Sequence, residues 1–439
     1  MPSQFLKNLK EQFELKPADC REIISAFSRE MANGLAGRKS SLKMIPAYVD
    51  VPKGDERGRF IAVDLGGTNL RVLEIELSGR GRIKKLKEKK FVIDKKYTRV
   101  SADELFGFIA KKIKDLLRWQ PIEAGFTFSF PVRQTAIASG VLAHWTKDFC
   151  AKGVVGKDVV KLLERALYRQ GIYNLKITAL VNDTVGTLVC RGYSDVHSDV
   201  GIILGTGTNA CYREALAKII KWRGTKPSGA KMIVNIEWGN FNKLTVSCYD
   251  RQLDRASENS GEQILEKMVG GMYLGEIVRL ILVDLCKKDL IFDQRDTALF
   301  GRSKSFKSEY MSEIEADCTA DLSRTKKILK YFGIKKCSFS QAALVKKVCE
   351  LVAARAANIS GSCLAAVIKR IDPALKKKHT VAIDGSVYEK HPVFSRQMRK
   401  ALKTIFGQKA KKVQMVLTKD GSGVGAAIIA AVAAKAKKK

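Results

Sequence analysis

Phe60-Ile-Ala-Val-Asp-Leu-Gly-Gly-Thr-Asn69 is an apolar run of strand length that ends in an acidic residue and two glycines. A second strand-like run follows from Val72 to Leu77, so the glycines predict a hairpin turn with exposed backbone. The pattern recurs at Ile202-Ile-Leu-Gly-Thr-Gly-Thr-Asn209. This recurrence predicts a duplicated domain in which one glycine turn from each copy faces a common cleft.

Other strand-like runs also end in small, acidic or amide residues. They are 124–130 before Pro131, 175–181 before Asn182-Asp183-Thr184, 381–384 before Gly385-Ser386, and 416–418 before Asp420-Gly-Ser-Gly423. Helical periodicity or an apolar helix is predicted for 1–47, 162–168, 263–282, 342–367 and 426–434. Strands followed by helices, twice over, predict an α/β architecture, in which ligands bind beyond the carboxyl ends of the strands.

Composition narrows the class of protein. The 439 residues are 46% hydrophobic and 28% charged, as in a globular enzyme of two or three domains. No run of about 18 uncharged apolar residues predicts a transmembrane helix, and the N-terminus lacks the apolar region of a signal peptide. Ten irregularly spaced cysteines without a C-x-x-C pair indicate reduced thiols, and hence a cytoplasmic protein.

The net charge of +34, from 79 Lys and Arg against 45 Asp and Glu, is the unusual property. Basic clusters lie at 84–96, 213–231, 376–378, 409–412 and 435–439. One interpretation is a solvated lysine-rich surface. Another is weak docking to an anionic membrane or a polyanion such as polyphosphate. No recognition helix, zinc site or RNA-binding aromatic motif indicates a specific nucleic-acid partner.

Several residues have a chemical and a structural interpretation. Two glycine turns, with Arg71 after the first, suit a phosphate group, although neither is a Walker A or G-x-G-x-x-G motif and each could be an ordinary tight turn. Asp183 after a buried strand suits a general base, or an Asx turn or helix N-cap. Lys147 suits charge stabilisation during phosphoryl transfer, or is a surface lysine.

The motifs together resemble one family. Phe126-Thr-Phe-Ser-Phe-Pro-Val132, Gly140-Val-Leu-Ala-His-Trp-Thr-Lys147, Ala179-Leu-Val-Asn-Asp-Thr-Val-Gly-Thr187 and 201–212 are similar to eukaryotic hexokinases of the hexokinase/glucokinase type. Segments 234–239, 254–259, 261–279, 384–388 and 420–423 continue the likeness in order. The resemblance covers about residues 20 to 434.

The resemblance implies a duplicated actin-like ATPase (ribonuclease H-like) fold with a sugar and Mg-ATP cleft between two lobes. The small lobe is expected at 48–184 plus 420–439, and the large lobe at 1–47 plus 185–419. The implied reaction is ATP-dependent phosphorylation of a hexose, most simply D-glucose, at the 6-hydroxyl, the first step of glycolysis. The alternatives are a catalytically weak sugar sensor and a polyanion-docking protein on the same fold.

The resemblance also implies roles for individual residues. Asp183, Lys147 and Arg71 would be catalytic, and Asp64 would reach Mg²⁺ through water. The sugar would be bound by Ser129, Phe130, Thr146, Lys147, Asn182, Asp183, Asn209, Glu237 and Glu266. The nucleotide would be bound by Asp64, Gly66, Gly67, Thr68, Asn69, Arg71, Gly205, Thr206, Gly207, Gly271, Met272, Ser308, Ser312, Ser386, Val387, Tyr388, Gly421 and Ser422.

Overall fold

The computed structural model describes residues 2–117, 122–146, 149–224 and 229–437. In these ranges the strands are β1 (Ile45–Pro46), β2 (Arg57–Leu65), β3 (Asn69–Ser78), β4 (Ile83–Val92), β5 (Ile122–Phe128), β6 (Val132–Ala136), β7 (Ser139–Leu142), β8 (Leu175–Val181), β9 (Ser198–Leu204), β10 (Thr208–Ala215), β11 (Lys231–Asn235), β12 (His379–Asp384) and β13 (Val413–Leu417).

The α-helices in the same ranges are α1 (Pro2–Phe13), α2 (Pro17–Leu35), α3 (Ala102–Lys114), α4 (Val159–Arg169), α5 (Asp183–Gly192), α6 (Cys248–Arg255), α7 (Ile264–Val269), α8 (Gly271–Lys287), α9 (Ser308–Glu315), α10 (Ser323–Tyr331), α11 (Phe339–Ile371), α12 (Ser386–Lys390), α13 (Phe394–Phe406) and α14 (Gly421–Lys437). Short 3₁₀ turns lie at Lys95–Thr98, Leu216–Lys218, Trp238–Asn240, Gln294–Phe300 and Gly407–Lys412.

Two sheets repeat one topology. The five-stranded sheet has the order β4-β3-β2-β5-β8, with β2, β3 and β4 antiparallel and β5 and β8 parallel to β2. In the six-stranded sheet, β11-β10-β9-β12-β13 follows the same order and the same pairing directions, with β1 added beside β11. The predicted duplication and α/β fold are therefore confirmed.

Helices α5 and α14 lie between the two sheets. Helix α14 packs on α5 and on β2, β5 and β8, while α5 also contacts β9. Ala426, Ile428 and Ala430 of α14 are fully buried together with Ala179 and Leu188. This apolar layer joins the halves of the molecule, so α5 begins at the boundary between the sheets. The two lobe boundaries stated above stay a prediction.

Two expectations about elements need correction. The periodic segment 263–282 is two helices, α7 and α8, because Gly270 adopts an extended backbone (φ −68°, ψ 139°) and glycine stabilises a helix poorly. The N-terminal 47 residues are not helical throughout, since α1 and α2 are separated before Pro17 and Ile45–Pro46 pairs with β11. Strand β4, which carries most of the basic cluster 84–96, is the outer strand of its sheet and is largely exposed.

Helix α11 is the one described helix whose length and hydropathy would suffice to cross a bilayer. In its most apolar 18-residue window, 89% of the residues are buried within the protein. Val352, Ala356 and Leu364 along this helix belong to the core of the larger half. Burial on all sides explains the apolar composition of α11, which is that of a core helix.

A buried histidine at the start of β12 predicts a pH-dependent stability. Burial by itself lowers the pKa of His379, but hydrogen bonds with Asp199 (2.7 Å) and Asp372 (3.3 Å) and their charges outweigh it and raise the pKa above its ordinary value. The stabilisation that protonated His379 gives the folded protein should therefore be complete below about pH 6.5, the pKa of histidine in the unfolded chain. It should be lost as the pH rises through the higher pKa of His379 in the folded protein.

We expect the melting temperature of His379→Gln to fall less than that of the unaltered protein between about pH 6 and about pH 9. Differential scanning fluorimetry across this range measures it. His197→Gln, an exposed histidine nearby in the chain, is the matched control and should keep the parent pH dependence. Identical pH profiles for His379→Gln and the parent would contradict the assignment.

Candidate active site

A cavity of about 190 Å³ lies where the carboxyl ends of strands from both sheets meet. All eight predicted sugar ligands within the described residues line it: Ser129, Phe130, Thr146, Asn182, Asp183, Asn209, Glu237 and Glu266. Gly66, Gly67, Thr206 and Gly207 of the two glycine turns line it too. The predicted common cleft is thus formed by elements far apart in the chain. Lys147 lies outside the described residues.

Asp183 is the first residue of α5, directly after strand β8. The cap of this helix is Asn182, whose Oδ1 accepts hydrogen bonds from the backbone N–H of Thr184 (3.0 Å) and from its hydroxyl. The alternative of an N-cap at Asp183 is therefore wrong. Asp183 Oδ1 also accepts from Thr184 N (2.9 Å), so the carboxylate lies at the positive end of the helix dipole. A charged carboxylate at the cavity wall can accept a proton.

The opposite wall is an amide and carboxylate network. Asn209 Nδ2 lies within hydrogen-bond distance of Asn235 Oδ1 (2.9 Å), Glu237 Oε1 (3.2 Å) and Asn182 Oδ1 (3.4 Å). Asn235 Nδ2 donates to Glu237 Oε1 at 2.7 Å. Glu237 itself has a left-handed backbone, with φ of 56°. Such strain persists only where surrounding contacts hold it, which indicates that the carboxylate is held in a fixed orientation.

Glu266 of α7 is fixed beneath the second glycine turn. Its Oε2 accepts a hydrogen bond from Thr208 N at 2.9 Å. A Cβ atom at Gly207 would collide with this same oxygen, so only glycine permits the close approach of the turn to the carboxylate. The turn is held from the other side as well, because Gly271 N donates to Gly205 O (2.8 Å) and Met272 N to Thr206 O (3.0 Å). The break at Gly270 thus lets α8 begin against the turn.

An aromatic cluster supports the remaining wall. The Phe130 ring lies 4.8 Å from both the Trp145 and Phe149 rings, and Trp145 stacks on Phe149 at 5.3 Å. Trp145 Nε1 donates to Ala151 O at 2.9 Å. Thr146 lines the cavity directly after Trp145. The cluster anchors the segment that carries Thr146.

The first glycine turn lies beside a charged network. Arg71 donates to Asp64 Oδ2 (2.5 Å from Nη2, 3.1 Å from Nε) and to Asp420 Oδ1 (2.6 Å). Ser422 Oγ donates to Asp64 Oδ2 at 2.9 Å, and Lys85 Nζ binds Asp420 Oδ2. Arg71 is therefore bound by two carboxylates and holds Asp64 at the end of β2. Gly421 donates to Asp384 (3.2 Å), whose pKa burial raises to about 6.

A second cavity of about 420 Å³ shares Thr206 with the first. Six predicted adenosine-side residues line it: Gly271, Met272, Ser308, Ser312, Ser386 and Val387. Ser312 Oγ donates to Lys390 O at 2.7 Å and Ser308 Oγ to Gly271 O, so these hydroxyls join opposite walls. Gly385 has φ of 122°, and a Cβ atom there would collide with the backbone of Leu204 in β9. The backbone before α12 therefore packs directly on β9.

The other predicted nucleotide residues lie outside the linings of both cavities. Tyr388 is 7% exposed and its side chain interacts with Arg399, so it is buried next to the lining residue Val387 and does not itself line the second cavity. Thr68 and Asn69 bond to each other within the first hairpin turn (2.8 Å). Gly205 belongs to the second turn, where its N–H donates to Gly207 O (3.0 Å), whereas Gly421 and Ser422 belong to the charged network around Asp64 and Arg71.

Among the residues of these sites that sequence reasoning missed are Lys85, Asn235, Gln263 and Asp384. A period of two along β11 would have placed Asn235 on the same side as Glu237. Gln263 lines the first cavity with a left-handed backbone (φ 54°), which no sequence signal indicates. Lys85 lies in a run of lysines that the sequence does not distinguish from one another. Only the tertiary structure shows that this lysine contacts Asp420.

Comparisons with known proteins agree with this geometry. Two family models described as hexokinase match residues 5–193 and 199–432. The chain is 39% identical to hexokinase-2 of Oryza sativa subsp. japonica, over 97% of this chain and 90% of that protein. It is equally similar (39%) to a hexokinase-like 1 protein of Arabidopsis thaliana, covering 94% and 87%. A solved hexokinase from Schistosoma mansoni complexed with glucose superposes with a TM-score of 0.90 at 34% identity, covering 98% and 100%.

Proposed function

The chain belongs to the hexokinase family and is a hexokinase-type kinase, and on that premise we propose that it transfers the γ-phosphoryl group of ATP to the 6-hydroxyl of D-glucose. The observation that carries the proposal is the cavity lined by Asp183, Asn209, Glu237 and Glu266, which shares the lining residue Thr206 with the second cavity. The lining supplies carboxylates and amides that suit sugar hydroxyls, which both donate and accept hydrogen bonds.

In the proposed mechanism the sugar binds first by hydrogen bonds to Glu237, Glu266 and the amides of Asn182 and Asn209. The carboxylate of Asp183 then accepts the proton of the 6-hydroxyl as the hydroxyl oxygen attacks the γ-phosphorus. The bond from the γ-phosphorus to the β,γ-bridging oxygen breaks, and ADP leaves. Lys147, by its likeness to the family motif, stabilises the negative charge of the transferring group. The backbone of the two glycine turns holds the nucleotide phosphates, and the cavity beside α9 and α12 holds adenosine.

The donor chemistry around Asp64 fits Mg²⁺. This ion keeps several waters and takes one or two carboxylates together with phosphate oxygens. Asp64 is a carboxylate held by Arg71 and Ser422 at the end of β2. No group of three His, Cys, Asp or Glu residues within the described ranges forms a dedicated metal cage, which accords with an ion that arrives with its nucleotide. When bound, Mg²⁺ would neutralise charge on the phosphates.

A coupled assay for glucose 6-phosphate with glucose and Mg-ATP tests the proposal. We expect turnover that depends on both substrates. A protein that binds glucose without turnover would instead be a sugar sensor, the alternative to which the similarity with a hexokinase-like protein gives weight. Mannose and fructose in the same assay rank the sugars. Absence of both turnover and glucose binding would contradict the proposal.

Lys85 is an additional cation beside the charged network of Arg71 and Asp420, next to the glycine turn that we propose for the nucleotide phosphates. Its side chain is 37% exposed, and its ammonium group binds Asp420 beside Arg71. We expect Lys85→Met to raise the KM for ATP about 2- to 5-fold, the effect of losing one partly exposed ion pair of about 0.5–1 kcal/mol, while the KM for glucose stays unchanged.

Lys84→Met is the matched control, because the neighbouring side chain is exposed and alternation along β4 places it on the opposite face of the sheet. It should leave both KM values unchanged. Steady-state kinetics with each substrate varied in turn measure both variants. If Lys85→Met and Lys84→Met behave alike, Lys85 has no part in nucleotide binding.

We further propose that the enzyme acts in the cytoplasm, as the first step of glycolysis. All ten cysteines are free of disulfide bonds, which supports a reducing compartment. Weak docking to a polyanion or an anionic membrane through the lysine clusters remains part of the proposal. Its support is the net charge of +34, which catalysis does not require.

A further inference from the structure

Two lysine clusters that are separate in sequence form one surface. Lys409 Nζ donates to Ala374 O (3.1 Å), and Lys412 Nζ donates to Leu375 O (3.1 Å) and Lys376 O (2.9 Å). The loop is also held from beneath, since Asp372 Oδ2 accepts from the backbone N–H of residues 376 and 377. Segments 376–378 and 409–412 therefore lie together on the larger half.

A groove of about 500 Å³ adjoins this surface, and we call it the basic groove. It is lined by Arg399, Leu402 and Lys403 of α13, by Lys411, and by residues 413–416 of β13. Arg399, Lys403 and Lys411 are exposed. No ion pair among the described residues involves these three side chains or the lysines of 376–378. The groove thus presents cations whose charge is not neutralised within the described protein.

The local charge exceeds what the composition of the whole chain explains. Residues 385–418 contain eight Lys and Arg against one acidic residue, Glu389, whereas the whole chain has 79 against 45. Glu389 pairs with Lys419 at 2.5 Å, outside the basic groove. The region therefore carries a concentrated positive potential that a solvated surface of average composition would lack.

One wall of the basic groove is the edge of a sheet. Strand β13 pairs in parallel with β12, and it has no neighbour on its outer side among the described residues. An edge strand offers backbone N–H and C=O groups to an added strand. Val413 and Met415 are buried while Gln414 is exposed, the alternation of a strand with one face on the core, so an added strand would present alternate side chains to the exposed face.

We infer that the basic groove binds an extended acidic polypeptide, which adds to the edge of β13 and places its carboxylates against Lys403 and Lys411. The inference deepens the docking role proposed above and rests on it. A polypeptide satisfies both features, because its backbone pairs with the strand and alternate side chains face one way. A membrane would not enter a concave groove, and polyphosphate has no backbone N–H groups. Five residues of β13 accommodate a segment of about 17 Å.

The probe is the peptide fluorescein-(Glu-Thr)4-amide, to which the full-length protein is added at low salt while the fluorescence anisotropy of the label is measured. We expect the double variant Lys403→Gln/Lys411→Gln to weaken binding about 5- to 30-fold, from two ion pairs of about 0.5–1 kcal/mol each. The charge-matched control Lys84→Gln/Lys87→Gln on β4 should bind within 2-fold of the parent. Hydrogen exchange should slow at the amides of 413–417 when the peptide is bound.

Three outcomes would overturn the inference. An equal loss of peptide affinity in both double variants would mean that only the net charge of the protein attracts the peptide. The same peptide with alternate peptide bonds N-methylated cannot pair as a strand, and neither can polyphosphate. Undiminished binding of either would mean that the groove recognises negative charge and not a β-strand. Stronger binding to phosphatidylserine vesicles that also depends on Lys403 and Lys411 assigns the surface to a membrane. Glucose phosphorylation, measured in parallel, should be the same in all variants, so failure of docking and failure of the kinase proposal are distinguishable.

Discussion

Asp183→Asn is expected to lower kcat for glucose phosphorylation by about 10²–10⁴-fold while the protein still binds glucose. The amide retains hydrogen bonding to the sugar but cannot accept the proton of the 6-hydroxyl. The substitution should not disturb the helix, because the cap of α5 is Asn182 and not Asp183. Kinetics give kcat, and tryptophan emission reports binding, since Trp145 packs on Phe130 and Trp238 follows Glu237.

The matched control is Asp195→Asn, which removes a carboxylate just beyond the other end of α5. Asp195 pairs with Arg191 at 3.3 Å, remote from the cavity lining. This variant should keep kcat within about 2-fold of the parent even if its stability falls by the modest amount expected of such an ion pair. A kcat for Asp183→Asn within a few-fold of the parent would falsify its role as the base.

Gly207→Ala is expected to raise the dissociation constant for glucose about 10- to 100-fold. The added Cβ collides with Glu266 Oε2, so either the carboxylate or the glycine turn must move. Moving the carboxylate away from Thr208 N breaks a hydrogen bond to a charged group, worth about 1.5–3 kcal/mol, and misplaces a proposed sugar ligand. Calorimetric titration with glucose measures the change.

Gly107→Ala in α3 is the control, because nothing lies within 4 Å of a Cβ placed there. It should bind glucose as the parent does, and alanine in a helix should stabilise the protein slightly. Tight glucose binding by Gly207→Ala would mean that Glu266 has no part in the sugar site. A test of folding by circular dichroism separates a local displacement from general unfolding.

Much of the fold could be predicted from the sequence, because its signals are local. Apolar runs of strand length ending in Asp64, Asn182 and Gly205 identified β2, β8 and β9, and the two glycine turns predicted the duplication. The same turns correctly predicted a shared cleft. The break in the segment 263–282 was missed, since the apolar periodicity continues through Gly270. The extended backbone of this glycine and the hydrogen bonds from α8 to the second turn became apparent only in the structure.

The sequence by itself determined the kinds of side chain at the strand ends, the glycines that permit close approach, and the excess of positive charge. Only the tertiary structure decided that Asn235 bridges Asn209 and Glu237, that Asp420 joins Arg71 to Lys85, and that segments 376–378 and 409–412 share a surface. The end of a strand can be predicted from the pattern of a few neighbouring residues. Contacts between residues up to about 350 positions apart depend instead on how the two sheets pack around α5 and α14, which no local pattern encodes.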